Sequence, residues 1–82
     1  MTSSELTPGT LVEHYKKKKY RIHSIAIHSE SLDELVIYEA LYENKLGQIW
    51  ARPKKMFLET VNINGEEVPR FSKITDTEAH KI

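Results

Sequence analysis

Apolar residues along this chain fall in short runs separated by turn-forming residues, the pattern of β-strands. A first strand is predicted over Thr10–Tyr15, entered through the Pro8-Gly9 turn, with Leu11 and Tyr15 on one side. A second runs over Tyr20–His28, but its apolar parity changes: Tyr20 and Ile22 share one face, Ile25 and Ile27 the other. That switch at His23-Ser24 predicts a bulge or sharp bend, a device by which small barrels turn a strand around a corner. The third, Leu35–Tyr42, sets Leu35, Ile37 and Leu41 against Val36, Tyr38, Ala40 and Tyr42. With only Glu39 interrupting the apolar run, it is expected to be central and covered on much of both faces. In the fourth, Gln48–Arg52, the side chains of Gln48, Trp50 and Arg52 point together, opposite Ile49 and Ala51.

The connections carry their own signals. Ser31-Leu32-Asp33-Glu34 has capping-box spacing and predicts a single helical turn before the third strand. Pro53 suits the first position of a helix, and Met56 and Phe57 follow a turn later, so Pro53–Leu58 reads as one short α or 3₁₀ segment. Asn64-Gly65 is a strong type I′ hairpin signal, because both central residues need positive φ. A two-residue loop there places Val61 opposite Val68, a pair able to lie over the core.

Composition changes this picture mainly by exclusion. The 82 residues fit one domain, expected over residues 9–71, with flexible polar ends at 1–8 and 72–82. A chain this short buries only about 60% of its unfolded surface and, lacking cysteine, has no disulfide to add stability. The same lack excludes thiolate metal sites and favours a reducing, cytoplasmic setting. Twelve basic and twelve acidic side chains cancel, so no overall field draws the protein to nucleic acid or an anionic membrane, and such binding would need a local patch. No run approaches the roughly 20 apolar residues of a membrane span.

Several strings resemble a family of small bacterial proteins of unknown function, DUF1653. They are Gly9 with His14-Tyr15-Lys16, His28 to Leu32 leading into Leu35 to Tyr42, Trp50-Ala51-Arg52-Pro53, Met56 to Glu59, Gly65, and Val68-Pro69-Arg70-Phe71. The resemblance covers about residues 8–71 and departs at Lys17, where the family usually has glycine, which leaves a tight positive-φ turn open there. It implies a mainly β fold, a small SH3-like β-barrel with one short α or 3₁₀ segment, and brings no established activity.

Four arrangements invite a chemical reading. His28-Ser29-Glu30 holds a base, a hydroxyl and a carboxylate, but strand neighbours point to opposite faces, so turn closure fits better than nucleophilic catalysis. His14, His23, His28 and His80 lack ligand spacing, and neither a metal nor a cofactor is expected. The run Lys16 to Lys19 between Tyr15 and Tyr20 could engage phosphates while a ring stacks on a base, or could be a solvated hairpin tip. Trp50 and Arg52 share a face. Exposed, they would offer a flat apolar surface and a fork of donors; otherwise Trp50 belongs to the core and Arg52 pairs with Glu39 or Glu59.

The leading expectation is a non-catalytic binding module for a peptide, nucleotide or RNA segment, with ligand-binding residues His14, Tyr15, Trp50, Arg52 and Arg70. A homodimer is compatible with it, and membrane binding is not expected. The alternative is a small enzyme acting on a nucleotide-like molecule, with His14, His28 and Glu30 drawn together by the fold.

Overall fold

The structure, a computed structural model, describes residues 1–79. After a 3₁₀ turn at Ser3–Glu5, the chain forms β1 (Leu11–His14), β2 (Lys19–Ile27), β3 (Glu34–Ala40), β4 (Ile49–Pro53) and α1 (Lys54–Phe57). Then follow β5 (Thr60–Ile63), β6 (Glu66–Pro69), β7 (Phe71–Lys73) and α2 (Asp76–Ala79). One antiparallel sheet has the order β4-β3-β2-β1-β7, and β5 and β6 form a separate hairpin. The fold is thus mainly β with one short helix before the hairpin. No closed barrel is found among the described residues, because no ladder joins the edge strands β4 and β7. No described helix is long and apolar enough to cross a membrane.

The parity switch in β2 is present. The β2–β3 register runs Ile22↔Tyr38 and then Ser24↔Ile37, which leaves His23 as the extra residue of a bulge. The bulge lets one strand serve the packed interior through Ile22 while Ile25 and Ile27, beyond it, are 37% and 59% exposed. β3 is an interior strand, between β4 and the central β2, and its Val36, Tyr38 and Ala40 are buried. Its other face is only half covered at Leu35 and Ile37.

Fully buried Val12, Ile22, Val36, Phe57 and Phe71 make the centre of the core. The Phe57 and Phe71 rings stack 3.9 Å apart at 4°. Each ring removes enough apolar surface to contribute about 1.5–3 kcal/mol, so α1, short as it is, is held by Phe57 rather than by its own propensity. Pro53 stands one residue earlier than expected, as the last residue of β4 opposite Leu35, and the helix starts at Lys54.

The helical turn expected at Ser31–Glu34 does not form. The segment closes instead as a turn: Leu32 takes φ 64°, its N–H donates to the His28 carbonyl (2.9 Å), and Glu34 begins β3. A capping arrangement occurs at Thr2, whose N–H donates to Glu5 Oε1 (2.9 Å). The buried set reaches past residues 9–71. Leu6 is in the core, and Ile74 is buried with its N–H donating to the Leu11 carbonyl (3.0 Å). His80 and the last two residues lie outside the described ones.

Candidate functional site

The site begins with a tight hairpin. The N–H of His14 donates to the Lys18 carbonyl (2.7 Å) and that of Lys17 to the His14 carbonyl (2.7 Å), with Lys17 at φ 69°. The positive-φ turn therefore exists, made by a lysine. Lys16, Lys17 and Lys18 occupy its exposed tip, whereas Lys19 belongs to β2.

At the base of the tip, His14 lies between Tyr15 (4.4 Å between ring centroids) and the edge-on ring of Phe71 (5.0 Å). Its Nδ1 accepts the Lys16 N–H (3.1 Å), so the neutral ring carries its proton on Nε2 and offers a donor there. Burial, and then the charges of Arg52, Arg70 and Lys16, push its pKa below the usual imidazole value.

Arg52 reaches the same aromatic group from β4. The cross-strand pairs Tyr38↔Trp50 and Val36↔Arg52 turn Trp50 and Arg52 toward the core face, and the residue after Arg52, Pro53, biases its backbone to the extended form. Arg52 Nε donates to the Tyr38 hydroxyl (3.3 Å), and its guanidinium carbon lies 5.6 Å from the centre of the Phe71 ring. The expected partners are engaged elsewhere: Glu39 lies 3.9 Å from Arg21, and Glu59 lies 3.5 Å from Arg70. Among the described residues Arg52, half-buried, has no carboxylate partner. Trp50 is half-buried against the core, and its Nε1 donates to the Gly47 carbonyl (2.9 Å). Arg70 Nε donates to the Met56 carbonyl (3.1 Å), which commits that guanidinium to holding the α1 corner.

A row of tyrosines completes the surface. Tyr20 contacts Tyr38, Tyr42 and Phe71 edge-on at 5.1, 5.5 and 5.9 Å. The Tyr20 and Tyr42 hydroxyls are 2.6 Å apart, and burial together with that bond raises the Tyr20 pKa, which keeps the phenol protonated. Lys18 Nζ stands 5.0 Å from the Tyr42 ring centre and Lys16 Nζ 5.8 Å from that of Tyr15. Tyr20, Tyr42 and Phe71 are absent from the expected site. Aligning β1, β2 and β3 by their core faces is the signal that gathers them, because Tyr20 and Tyr38 share parity with Ile22 and Val36.

Of the expected residues, His14 and Arg52 thus meet at Phe71, Tyr15 packs on His14, Arg70 adds its field, and Trp50 is held mainly by the core. His14 and His28 do not converge. They lie at opposite ends of β2, His14 beside its first residues and His28 just past its last. His28 Nδ1 accepts the N–H groups of Glu30 (3.1 Å) and Ser31 (3.2 Å), and Ser29 Oγ donates to Glu30, so this segment closes a turn. Among the described residues no three His, Asp or Glu side chains cluster closely enough to hold a metal ion. An open groove of about 530 Å³ separates His14, Tyr15 and Lys17 from Ile63, Val68 and Pro69 of the hairpin. Another of about 480 Å³ runs beside the Glu34–Lys54 pair. Trp50 and Arg52 line neither.

A family model described as "Protein of unknown function (DUF1653)" matches residues 10–73. A crystal structure of a protein of that family from Bordetella bronchiseptica is similar to this chain with a TM-score of 0.77 and 26% sequence identity, over 89% of this chain and 92% of that one. No curated protein matches.

Proposed function

From the premise that the chain belongs to the DUF1653 family, we propose that it is a non-catalytic binding module whose Arg52 side anchors an anionic group of a peptide, nucleotide or RNA ligand. The observation that carries this reading is the half-buried Arg52 guanidinium with no carboxylate partner among the described residues, while Arg21 and Arg70 each have one. A partly desolvated charge without a counter-ion is costly, and an anion from outside relieves that cost. Arg52 spends Nε on Tyr38, which fixes the plane of the fork and leaves both terminal nitrogens for two parallel bonds to a phosphate or carboxylate. The Nε2–H of His14 adds a neutral donor on the same aromatic base. Together these residues can bind and orient an anion.

The same reading extends to the architecture, which we take as an SH3-like barrel left open between β4 and β7. Support comes from Arg52 of one edge strand lying over Phe71 of the other. It also comes from Arg70, whose N–H extends the hairpin ladder to the Glu59 carbonyl (3.0 Å) while its carbonyl accepts the Tyr15 N–H (2.9 Å) at the end of β1. The cysteine-free composition supports a reducing, cytoplasmic setting.

Chemical-shift mapping of the labelled protein with inorganic phosphate, mononucleotides and acidic peptides tests the site. Shifts are expected at His14, Arg52 and Phe71, and Arg52→Lys, which keeps the charge and removes the fork, should weaken binding by about 1–3 kcal/mol. Shifts confined to other surfaces, or binding unchanged in Arg52→Lys, overturn the reading.

A further inference from the structure

We propose that the ligand is single-stranded nucleic acid, whose phosphates are met by Lys16, Lys18 and Arg52 and whose bases stack on Tyr15 and Tyr42 beside the two lysines. This rests on the reading of Arg52 as an anion anchor and goes further by naming what carries the anion.

The favouring observation is the pairing of cations with rings. Lys16 stands over Tyr15, Lys18 over Tyr42 and Arg52 over Phe71, at 5.8, 5.0 and 5.6 Å. A series of ring contacts links these three couples, from Tyr15 through His14, Phe71 and Tyr20 to Tyr42, with successive centroids 4.4 to 5.9 Å apart; Phe71 is its buried middle, and the half-buried Tyr15 and Tyr42 are the rings a base can reach. An acidic peptide would use the cations and leave the rings idle. A single strand uses both, because each phosphate is followed by a flat base and stacking tolerates any sequence.

Preorganisation favours the same ligand. Tyr42 is held at its hydroxyl by Tyr20 (2.6 Å) and by Asn44 Nδ2 (3.4 Å), so its ring plane is set before binding. Lys16 and Lys18 are exposed and long, free to swing from ring to phosphate as a base arrives. The positive φ of Lys17 keeps the turn tight, which fixes the backbone from which Lys16 and Lys18 reach Tyr15 and Tyr42. Zero net charge does not oppose this, since phosphate contacts depend on the local cluster.

Fluorescence anisotropy with labelled hexauridylate and hexathymidylate, competed by uridine monophosphate, a hexaglutamate peptide and a duplex of equal length, tests the proposal in the full chain. Either hexamer should bind at least about tenfold more tightly than the mononucleotide. The slope of log affinity against log salt should be near −2, since each of three phosphate contacts on a single strand contributes about −0.7. Lys16→Ala and Lys18→Ala should each flatten that slope by about 0.7. Tyr15→Leu should weaken binding about tenfold and leave the slope unchanged, which separates stacking from charge. A preference for the ribose or the deoxyribose hexamer decides between RNA and DNA. Hexaglutamate or duplex binding as tight as the hexamers, or an inert Tyr15→Leu with an intact amide spectrum, overturns the proposal. If uridine monophosphate or phosphate shifts His14 and Arg52 while the hexamers gain nothing, the nucleic-acid assignment falls and the anchor stands. If both hexamers bind but Arg52→Lys is silent and phosphate shifts nothing at Arg52, the anchor falls, and with it the part of the proposal that rests on it.

Discussion

The two hairpin tips solve the same backbone problem with different residues. The β5–β6 tip turns through Asn64 and Gly65 at φ 53° and 88°, residue types that tolerate this region. At the β1–β2 tip the left-handed position falls on Lys17, φ 69°, where a side chain is strained by about 1–2 kcal/mol. Their surroundings differ as well. The β5–β6 ladder is a separate two-stranded unit whose Val61 and Val68 are only half-buried. The β1–β2 hairpin stands on Val12, Ile22 and Phe71, all 0–1% exposed. A strongly packed base can carry a strained tip; a weakly packed hairpin depends on a turn that forms readily.

Removing the base should therefore have the largest effect. Phe71→Ala deletes the partner of the Phe57 stack and the ring beneath His14 and Arg52, and is expected to lower stability by about 3–5 kcal/mol in urea unfolding. Val68→Ala, in the half-exposed hairpin, should cost distinctly less. Equal losses would break the contrast between the two hairpins.

The turn itself matters more in the weaker hairpin. Gly65→Ala should cost about 1 kcal/mol. The strain would be purely of the backbone, since a Cβ there meets nothing within 4 Å. Hydrogen exchange should accelerate first in β5 and β6, with β1 and β2 still protected. Uniform acceleration through the sheet would show that the hairpin is no separate unit.

How much of this was legible in the sequence follows the range of the interactions. Asn64-Gly65, the Val61↔Val68 register and the β2 bulge are local consequences of turn chemistry and parity, and the structure has all three. Ser31–Glu34 carried an equally local capping signal that lost to the demand of Glu34 and its successors for strand pairing on β2 and β4. At the site, parity set Trp50 and Arg52 on one face. The partners of Arg52 were not legible, because Tyr38 and Phe71 reach it only through the stacking of β3, β4 and β7 around one core. The expected carboxylates went to Arg21 and Arg70 for the same reason: register, which composition does not reveal, brings Arg21 opposite Glu39.

The strained tip offers a smaller and opposite test. Lys17→Gly relieves about 1–2 kcal/mol of left-handed strain and gives back about 0.5–1 kcal/mol in unfolded-chain entropy. A net gain of about 0.5–1 kcal/mol is expected, with β1–β2 amide shifts little changed. A destabilised variant would mean that the lysine side chain contributes contacts that outweigh its backbone conformation.

The smallest expected effect concerns His14, at the base of the strained tip. Burial and the neighbouring charges of Arg52, Arg70 and Lys16 lower its pKa in the folded state relative to the ordinary 6.5. Above pH 6.5 the ring is neutral in both folded and unfolded chains and costs nothing. As the pH falls below 6.5, the unfolded chain takes up the proton first, so stability declines until the pH has passed the lower folded value, below which the loss is complete and constant. The Tm should therefore drop more between pH 7.5 and pH 5 in the parent than in His14→Gln, which cannot titrate, and the difference between the two drops isolates this group from the carboxylates. Phosphate should shrink that difference in the parent, because an anion held by Arg52 beside the ring favours the imidazolium and raises the folded pKa toward its unfolded value. A difference of the opposite sign would place His14 next to a carboxylate instead of the cations that surround it. A difference of the expected sign that phosphate leaves untouched would separate His14 from the anion held by Arg52, and would confine its role to packing between Tyr15 and Phe71.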